Sequence, residues 1–257
     1  MKIQNKFLLF TLLLLSVSML PSCFKSSGDQ TMTTNLYSFF GAPGCGKGTV
    51  AERLISELNF TSLSTGNLFR QHIQDQSEIG KELKKYIDAG KLVPDELVDT
   101  MVFQWLKQTI ADKKTDIILD GYPRTKAQAE ALQNILKEDK AFASVSFKVI
   151  NFNVPEEEIV QRLSNRLVCE NKKCQAIYSL TSKKPAQENV CDKCGSALIK
   201  RKDDDEQVVR ERLSVFAKFK DDLLGFYRNA RTIIVDFEPK GSPDEVFVDF
   251  KQTIINK

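Results

Sequence analysis

Residues 41–49, GAPGCGKGT, constrain this chain more than any other stretch. Glycines at 41, 44, 46 and 48 leave backbone N–H groups free to converge on one anion, and Lys47 carries a flexible positive charge to the same place. The preceding apolar run, Leu36 to Phe40, reads as a buried strand, and Val50 to Leu58 has helical spacing. Strand, glycine loop and helix in that order predict a phosphate-binding loop, with the helix start adding partial positive charge. A plain surface turn rich in Gly and Pro accounts for the glycines but not for this context. The usual motif has Ser or Thr directly after the lysine, whereas here Gly48 stands there and the hydroxyl follows at Thr49.

With 257 residues, 42% of them hydrophobic, the chain can bury one sizeable core. Its net charge is only +3, and residues 1–31 supply two of these through Lys2, Lys6 and Lys25 against Asp29. A near-neutral remainder argues against bulk attraction to nucleic acid, so positive charge must act through particular arginines. The one histidine, His72, reads as an exposed helix residue, which leaves no His general base.

Residues 1–31 differ in kind from the rest. Lys2 and Lys6 precede the apolar run Phe7 to Leu20, which has the length and flanks of a signal-peptide core and is short for a membrane span. It ends in Leu20-Pro21-Ser22-Cys23, similar to a bacterial lipoprotein signal in which Cys23 would carry the lipid. Two readings stand: a lipid anchor at Cys23, or an extension upstream of a start at Met32.

Further strands are expected at 61–64, 117–119, 146–154 and 232–235, with helices at 65–71, 81–89 (stopped by Gly90), 95–110, 125–137 and 155–167. A long charged helix or helix pair should follow at 205–229, and a closing helix from Ser242. Trp105, on the apolar stripe of its helix, is expected in the core. Short apolar strands alternating with helices predict an α/β fold, a parallel sheet covered on both faces, with ligands at the strand ends.

Cys169-x4-Cys174 and Cys191-x2-Cys194, sixteen residues apart, interrupt this pattern as a small lysine-rich insertion. Two close pairs suit four thiolates around one zinc ion; two disulfides, or unpaired cysteines without a site, are the competing readings. Arg70, Arg124, Arg166, Arg201 and Arg212 all fall near expected turns at element ends. Planar guanidiniums hold phosphate oxygens bidentately, and five beside a phosphate loop suggest two phosphorylated ligands brought together for phosphoryl transfer.

The segments GAPGCGKGT, LSTGNLFR (63–70), DAGKLVPDELV (88–98), LDGYPRTKAQA (119–129), the paired cysteines and RKDDDEQVVRERL (201–213) together resemble a bacterial adenylate kinase with the long zinc-bearing lid. The resemblance implies reversible transfer between Mg-ATP and AMP to give two ADP, by a monomer. It implies a core (35–63, 94–164, 205–257), a mobile monophosphate-binding segment (64–93) and a mobile lid (165–204) within a domain 32–257. Gly44, Cys45, Gly46, Lys47, Gly48 and Thr49 would then hold the ATP phosphates, with Arg166, Ile177, Tyr178 and Gly241 also meeting ATP. Thr65, Arg70, Lys91, Leu92, Val93, Gly121, Tyr122, Pro123, Arg124 and Gln128 would bind AMP, Gln128 reading the adenine edge, and Arg201 and Arg212 would clamp the AMP side during transfer. Lys47, Arg124, Arg166, Arg201 and Arg212 are thus the expected catalytic set. Asp120 would hold magnesium through water, and Cys169, Cys174, Cys191 and Cys194 would hold zinc.

The chain departs from the family pattern at three points: Asn67 stands where Asp is usual, the first cysteine pair is widened, and Leu167 replaces a frequent arginine. Two other functions compete: a kinase for another nucleoside monophosphate, and a non-catalytic nucleotide-binding lipoprotein. The chemistry of ATP, AMP and reduced thiolates predicts a cytoplasmic enzyme, against the alternative of membrane anchoring through Cys23.

Overall fold

A computed structural model of the chain describes residues 33–89, 91–171 and 173–255. The leader with Cys23, the start at Met32 and the expected helix stop at Gly90 lie outside them. The chain runs β1 (Thr34–Gly41), α1 (Lys47–Leu58), β2 (Thr61–Ser64), α2 (Thr65–Gln74), α3 (Glu78–Asp88), α4 (Asp95–Ala111), β3 (Asp116–Asp120), α5 (Lys126–Glu138), β4 (Val145–Phe152) and α6 (Glu156–Ser164). It continues through β5 (Arg166–Cys169), β6 (Ile177–Ser179), β7 (Leu198–Ile199), α7 (Glu206–Asn229), β8 (Ile233–Phe237) and α8 (Pro243–Phe250).

Five strands form a parallel sheet in the order β2-β3-β1-β4-β8, with β1 pairing to β3 on one side and to β4 on the other. The apolar runs are continuous because both faces are covered. On one face Phe39, Phe152 and Phe237 meet Phe247 and Phe250 of α8 and Val50 and Leu54 of α1. On the other, Leu36, Ile117 and Leu119 meet Val102 and Leu106 of α4 and Leu132 of α5, with Trp105 packed half-buried beside them. Each fully buried Leu, Ile or Phe contributes about 1.5–3 kcal/mol of transfer free energy, so these two layers dominate the fold's stability.

Side-chain caps fix where several helices begin. Thr125 accepts the Gln128 N–H to start α5, Ser77 accepts from Gly80 to start α3, and Ser242 with Glu245 forms a reciprocal box at α8, which has Pro243 in its first turn.

The structure corrects two expectations and decides between the two readings of a third. The helix expected to reach Leu167 ends at Ser164, and Arg166 begins β5, whose apolar Leu167 and Val168 pack in a separate antiparallel sheet ordered β6-β5-β7. The charged segment 205–229 is one helix, not a pair, because Val209, Leu213, Leu223, Leu224 and Tyr227 give it a continuous buried stripe. Arg70 and Arg212 lie inside α2 and α7, so their side chains reach the site from helix flanks instead of from turns. Among the described residues no helix is long and apolar enough to cross a membrane.

Candidate active site

The glycine loop leaves β1 at the sheet's centre and enters α1. Gly46, at φ 102°, is the N-cap of α1, a left-handed conformation that a side chain would oppose. Lys47 curls back over the loop: its Nζ donates to the carbonyls of Gly41 at 2.8 Å and Ala42 at 2.9 Å. In front of the loop opens a cavity of about 880 Å³. That volume is at the upper end of the range for small-molecule sites, roughly 300–1,000 Å³.

The cavity gathers residues from segments far apart in sequence. Its wall includes Gly44, Gly46, Lys47, Gly48 and Thr49 of the loop, Arg70 of α2, Lys91 and Leu92, Asp120 at the end of β3, and Gly121, Pro123 and Arg124 of the turn that follows. Arg166, Ile177, Tyr178, Arg201, Arg212 and Gly241 complete it. Five further expected residues stand outside this wall. Cys45 is fully buried beneath the loop, and Val93 is buried among the α4 core residues. Thr65 is buried with its hydroxyl donating to Gly121 O at 3.1 Å, and Tyr122 is buried with its hydroxyl on Asp99 Oδ1 at 2.6 Å.

Gln128, 3% exposed, is the fifth, and both ends of its amide are engaged inside the protein. Its Oε1 accepts the Arg124 backbone N–H at 2.7 Å, and its Nε2 donates to Asp95 Oδ1 at 2.7 Å, while Asp95 Oδ2 accepts from Thr125. These two internal partners explain its burial.

The arginines are balanced by a pair of acids that sequence reading left without a role. Arg166 grips Asp204 bidentately, Nε to Oδ2 at 2.8 Å and Nη2 to the other oxygen. Arg212 Nη1 lies 3.1 Å from Asp203 Oδ2 and also donates to the Asp203 carbonyl at 2.8 Å. Arg70 Nη1 is 3.6 Å from the same Asp203 carboxylate. Both aspartates are buried. Burial, and then the charges of neighbouring arginines, hold Arg124 and Arg201 below the usual arginine range. Burial alone would raise Asp203, but Arg212, Arg70, Arg201 and Arg166 together hold it below its ordinary value. The consecutive acids in RKDDD were the available signal, since acids inside an arginine-rich segment are poised to pair.

Arg162 was also missed. It lines the cavity, with Nη2 donating to Pro239 O at 2.9 Å and Nη1 to Cys45 O at 3.4 Å. Its place in the last turn of α6, just before Arg166, was the clue.

Glu52, on α1 just past the loop, pairs with Lys193 of the cysteine module and lies 3.9 Å from Lys183, joining that module to the loop's own helix. Within the module Cys169, Cys174, Cys191 and Cys194 are unbridged, and their sulfurs all lie within 4.8 Å of one another. The close approaches run across the pairs, Cys169 to Cys194 at 3.3 Å and Cys174 to Cys191 at 3.7 Å. A disulfide requires about 2.05 Å. Four thiolates about 2.3 Å from a central zinc lie roughly 3.8 Å apart, so the donor set and its spacing fit that ion. Tyr178 ties module to cavity: its hydroxyl accepts from Asp192 N at 2.8 Å and lies 3.6 Å from Cys191 Sγ.

Comparison with known proteins agrees with this arrangement. A family model described as adenylate kinase matches residues 39–232. The adenylate kinase of Bacillus licheniformis is 41% identical over 214 residues, covering 83% of this chain and 95% of the relative. That of Archaeoglobus fulgidus is 44% identical over 191 residues, covering 74% and 84%, and that of Caldicellulosiruptor saccharolyticus 41% over 194 residues, covering 76% and 87%.

Proposed function

This chain belongs to the adenylate kinase family and is a phosphotransferase, and from that premise we propose that it catalyses ATP + AMP = 2 ADP with Mg-ATP as donor. The observation that carries the reading is the convergence of Lys47 and five arginines, Arg70, Arg124, Arg166, Arg201 and Arg212, on one cavity. A transferring phosphoryl group spreads negative charge over its oxygens, and preorganised cations that need no reorganisation stabilise it most. No residue has to act as a covalent intermediate.

In this reading Gly44 to Thr49 hold the ATP phosphates, and Arg166, Ile177, Tyr178 and Gly241 contact the same nucleotide. AMP lies between Arg70, Lys91, Leu92 and the Gly121 to Arg124 turn. Gln128, with both ends of its amide held inside the protein, steadies that turn, and Arg201 and Arg212 act from the AMP side. Asp203 and Asp204 keep the arginines extended into the cavity in the correct geometry. Asp120, whose carboxylate lies 3.7 Å from where a Cβ on Gly48 would stand, suits a hydrated magnesium ion. Magnesium bound with ATP supplies charge neutralisation across the phosphates. The four cysteines hold a structural zinc, and segments 64–93 and 165–204 move to admit and release nucleotides.

We read the enzyme as a monomer. The near-neutral charge supports small-molecule partners and no nucleic acid. We place the enzyme in the cytoplasm, beginning at or near Met32, because ATP, AMP and reduced thiolates occur together there. Fractionation with an antibody to the C-terminal helix checks this; a detergent-soluble product with diacylglyceryl on Cys23 would assign the anchored form instead.

The test of the reaction is an assay of the full chain with Mg-ATP across AMP, CMP, UMP and GMP. The expected result is two ADP formed per AMP consumed and little turnover of the others. Preference for another monophosphate would move the chain to a different substrate, and absence of turnover with all four would leave a nucleotide-binding protein.

A further inference from the structure

Glu52 stands on α1 less than two turns past Lys47, half-buried and on the wall of the nucleotide cavity. A carboxylate so close to a phosphate loop is a poor neighbour for a polyanion, since like charges in a partly buried cleft repel. The structure meets it with two cations from the cysteine module. Lys193 Nζ pairs with its Oε1, and Lys183 Nζ lies 3.9 Å from Oε2.

Both lysines are tied to groups that the metal site or the cavity uses. Lys193 lies inside the second cysteine pair, directly before Cys194, so its backbone is fixed wherever those thiols are gathered. Lys183 is anchored to the end of β6, its carbonyl accepting the Ser179 N–H at 3.0 Å. Its ammonium lies 5.5 Å from the centre of the Tyr178 ring, which also lines the cavity. One side chain on the loop's own helix therefore holds the module at two points.

We propose that Glu52 is a positioning residue: its pairing with Lys193 and Lys183 seats the cysteine module on α1 and so holds Arg166, Ile177 and Tyr178 over the ATP phosphates. This rests on the reading above that segment 165–204 moves to admit nucleotides. Glu52 touches no reacting atom. With the segment lifted its charge faces the cavity, and with the segment seated that charge is met by two ammoniums, so closure and ATP binding favour each other.

The sign of one substitution tests this. Removing a carboxylate from the cavity wall relieves repulsion of ATP and by itself tightens binding, whereas removing the seat of the module weakens it. Isothermal titration of ATP into the full chain should show E52Q binding about two- to fivefold more weakly than wild type, the range for a partly exposed ion pair, with AMP affinity unchanged. The gap should close in about 1 M salt, where the screening length is about 3 Å. E52K sharpens the contrast: direct attraction for phosphate would tighten ATP binding, but repulsion of two lysines should weaken it beyond E52Q. K193E added to E52K should recover affinity by restoring the pair with its charges exchanged. E52Q and E52K leave the module's own residues in place, so they decide the matter even where K193E costs the metal. ATP binding by E52Q and E52K as tight as wild type, or tighter, would overturn the proposal. Wild-type protein that binds ATP but turns over no AMP would instead bring down the proposed reaction, and the titrations of the variants would still be readable.

Discussion

Lys47 Nζ lies 2.8 Å from the carbonyl oxygen of Gly41, the residue at which β1 ends and the loop begins. The ammonium thus sits above the loop's own backbone, where the same N–H groups would receive phosphate. Its contacts are to two carbonyls and to the edge of the Cys45 sulfur, none of them core packing. Lys47→Ala should therefore leave the circular dichroism spectrum and folding cooperativity intact while lowering turnover by about 10³-fold or more, as for other charge clamps in phosphoryl transfer. Near-normal turnover would refute the role given to this loop.

Arg124→Ala should weaken AMP binding far more than ATP binding. Arg124 Nε is held by Gly121 O at 2.9 Å, and its backbone N–H by Gln128, so the side chain belongs to the turn after β3. Separate titrations of the two nucleotides decide it. Equal losses for both would show that the two sites have been assigned to the wrong ends.

Metal content should be one zinc per chain, released by Cys191→Ser or by a strong chelator. Without the ion the small sheet of β5, β6 and β7 loses its main organiser, since Cys169, Cys174 and Cys191 are themselves part of its core. The five-stranded sheet is built from other segments and should persist, so chelation is expected to produce a separate low-temperature transition in calorimetry ahead of the main one. A single unshifted transition would argue that the thiols are not a metal site.

Acid stability should depend on Asp203. Its folded pKa lies below the ordinary value, so the pairing's contribution is fully present above the unfolded pKa of about 4 and is lost as pH falls through the lower folded value. Asp203→Asn should flatten the acid limb of a stability-versus-pH curve below about pH 4. At neutral pH the same variant leaves Arg212 and Arg70 without their shared carboxylate, and phosphate or sulfate should raise its melting temperature more than that of wild type. An acid limb identical to wild type would mean that the arginines do not hold this carboxylate.

Strands were the most legible part of the chain, because a parallel strand buried on both faces is a plain apolar run: 36–40 and 117–119 fall within β1 and β3. The α6–β5 junction was harder. Leu167 and Val168 continue an apolar spacing compatible with helix, and only their pairing with Tyr178 and Ile177 makes them a strand. The phosphate loop was visible because its function is written in consecutive residues. Asp203, Asp204 and Arg162 were not, since the acid run in RKDDD shows that pairing is available but not which acid meets which arginine across the cavity. Gln128 shows the same limit: its partners, Asp95 of α4 at 33 residues' distance in sequence and the Arg124 backbone N–H, cannot be read from the residues beside it.

The cysteine module leaves and rejoins the chain between β4 and β8, which are neighbours in the sheet. Its two stems, α6 and α7, pack on each other through Ile159, Val160 and Leu163 against Val209 and Leu213. The module is therefore a side branch on a closed trunk. Its length is a free variable for the sheet, because a shorter connection would leave the β4–β8 ladder as it is. It is not free for the cavity, which takes Arg166, Ile177, Tyr178 and Arg201 from that branch. Grafting a lid from another protein onto these stems would thus be a trial of catalysis with the fold held constant.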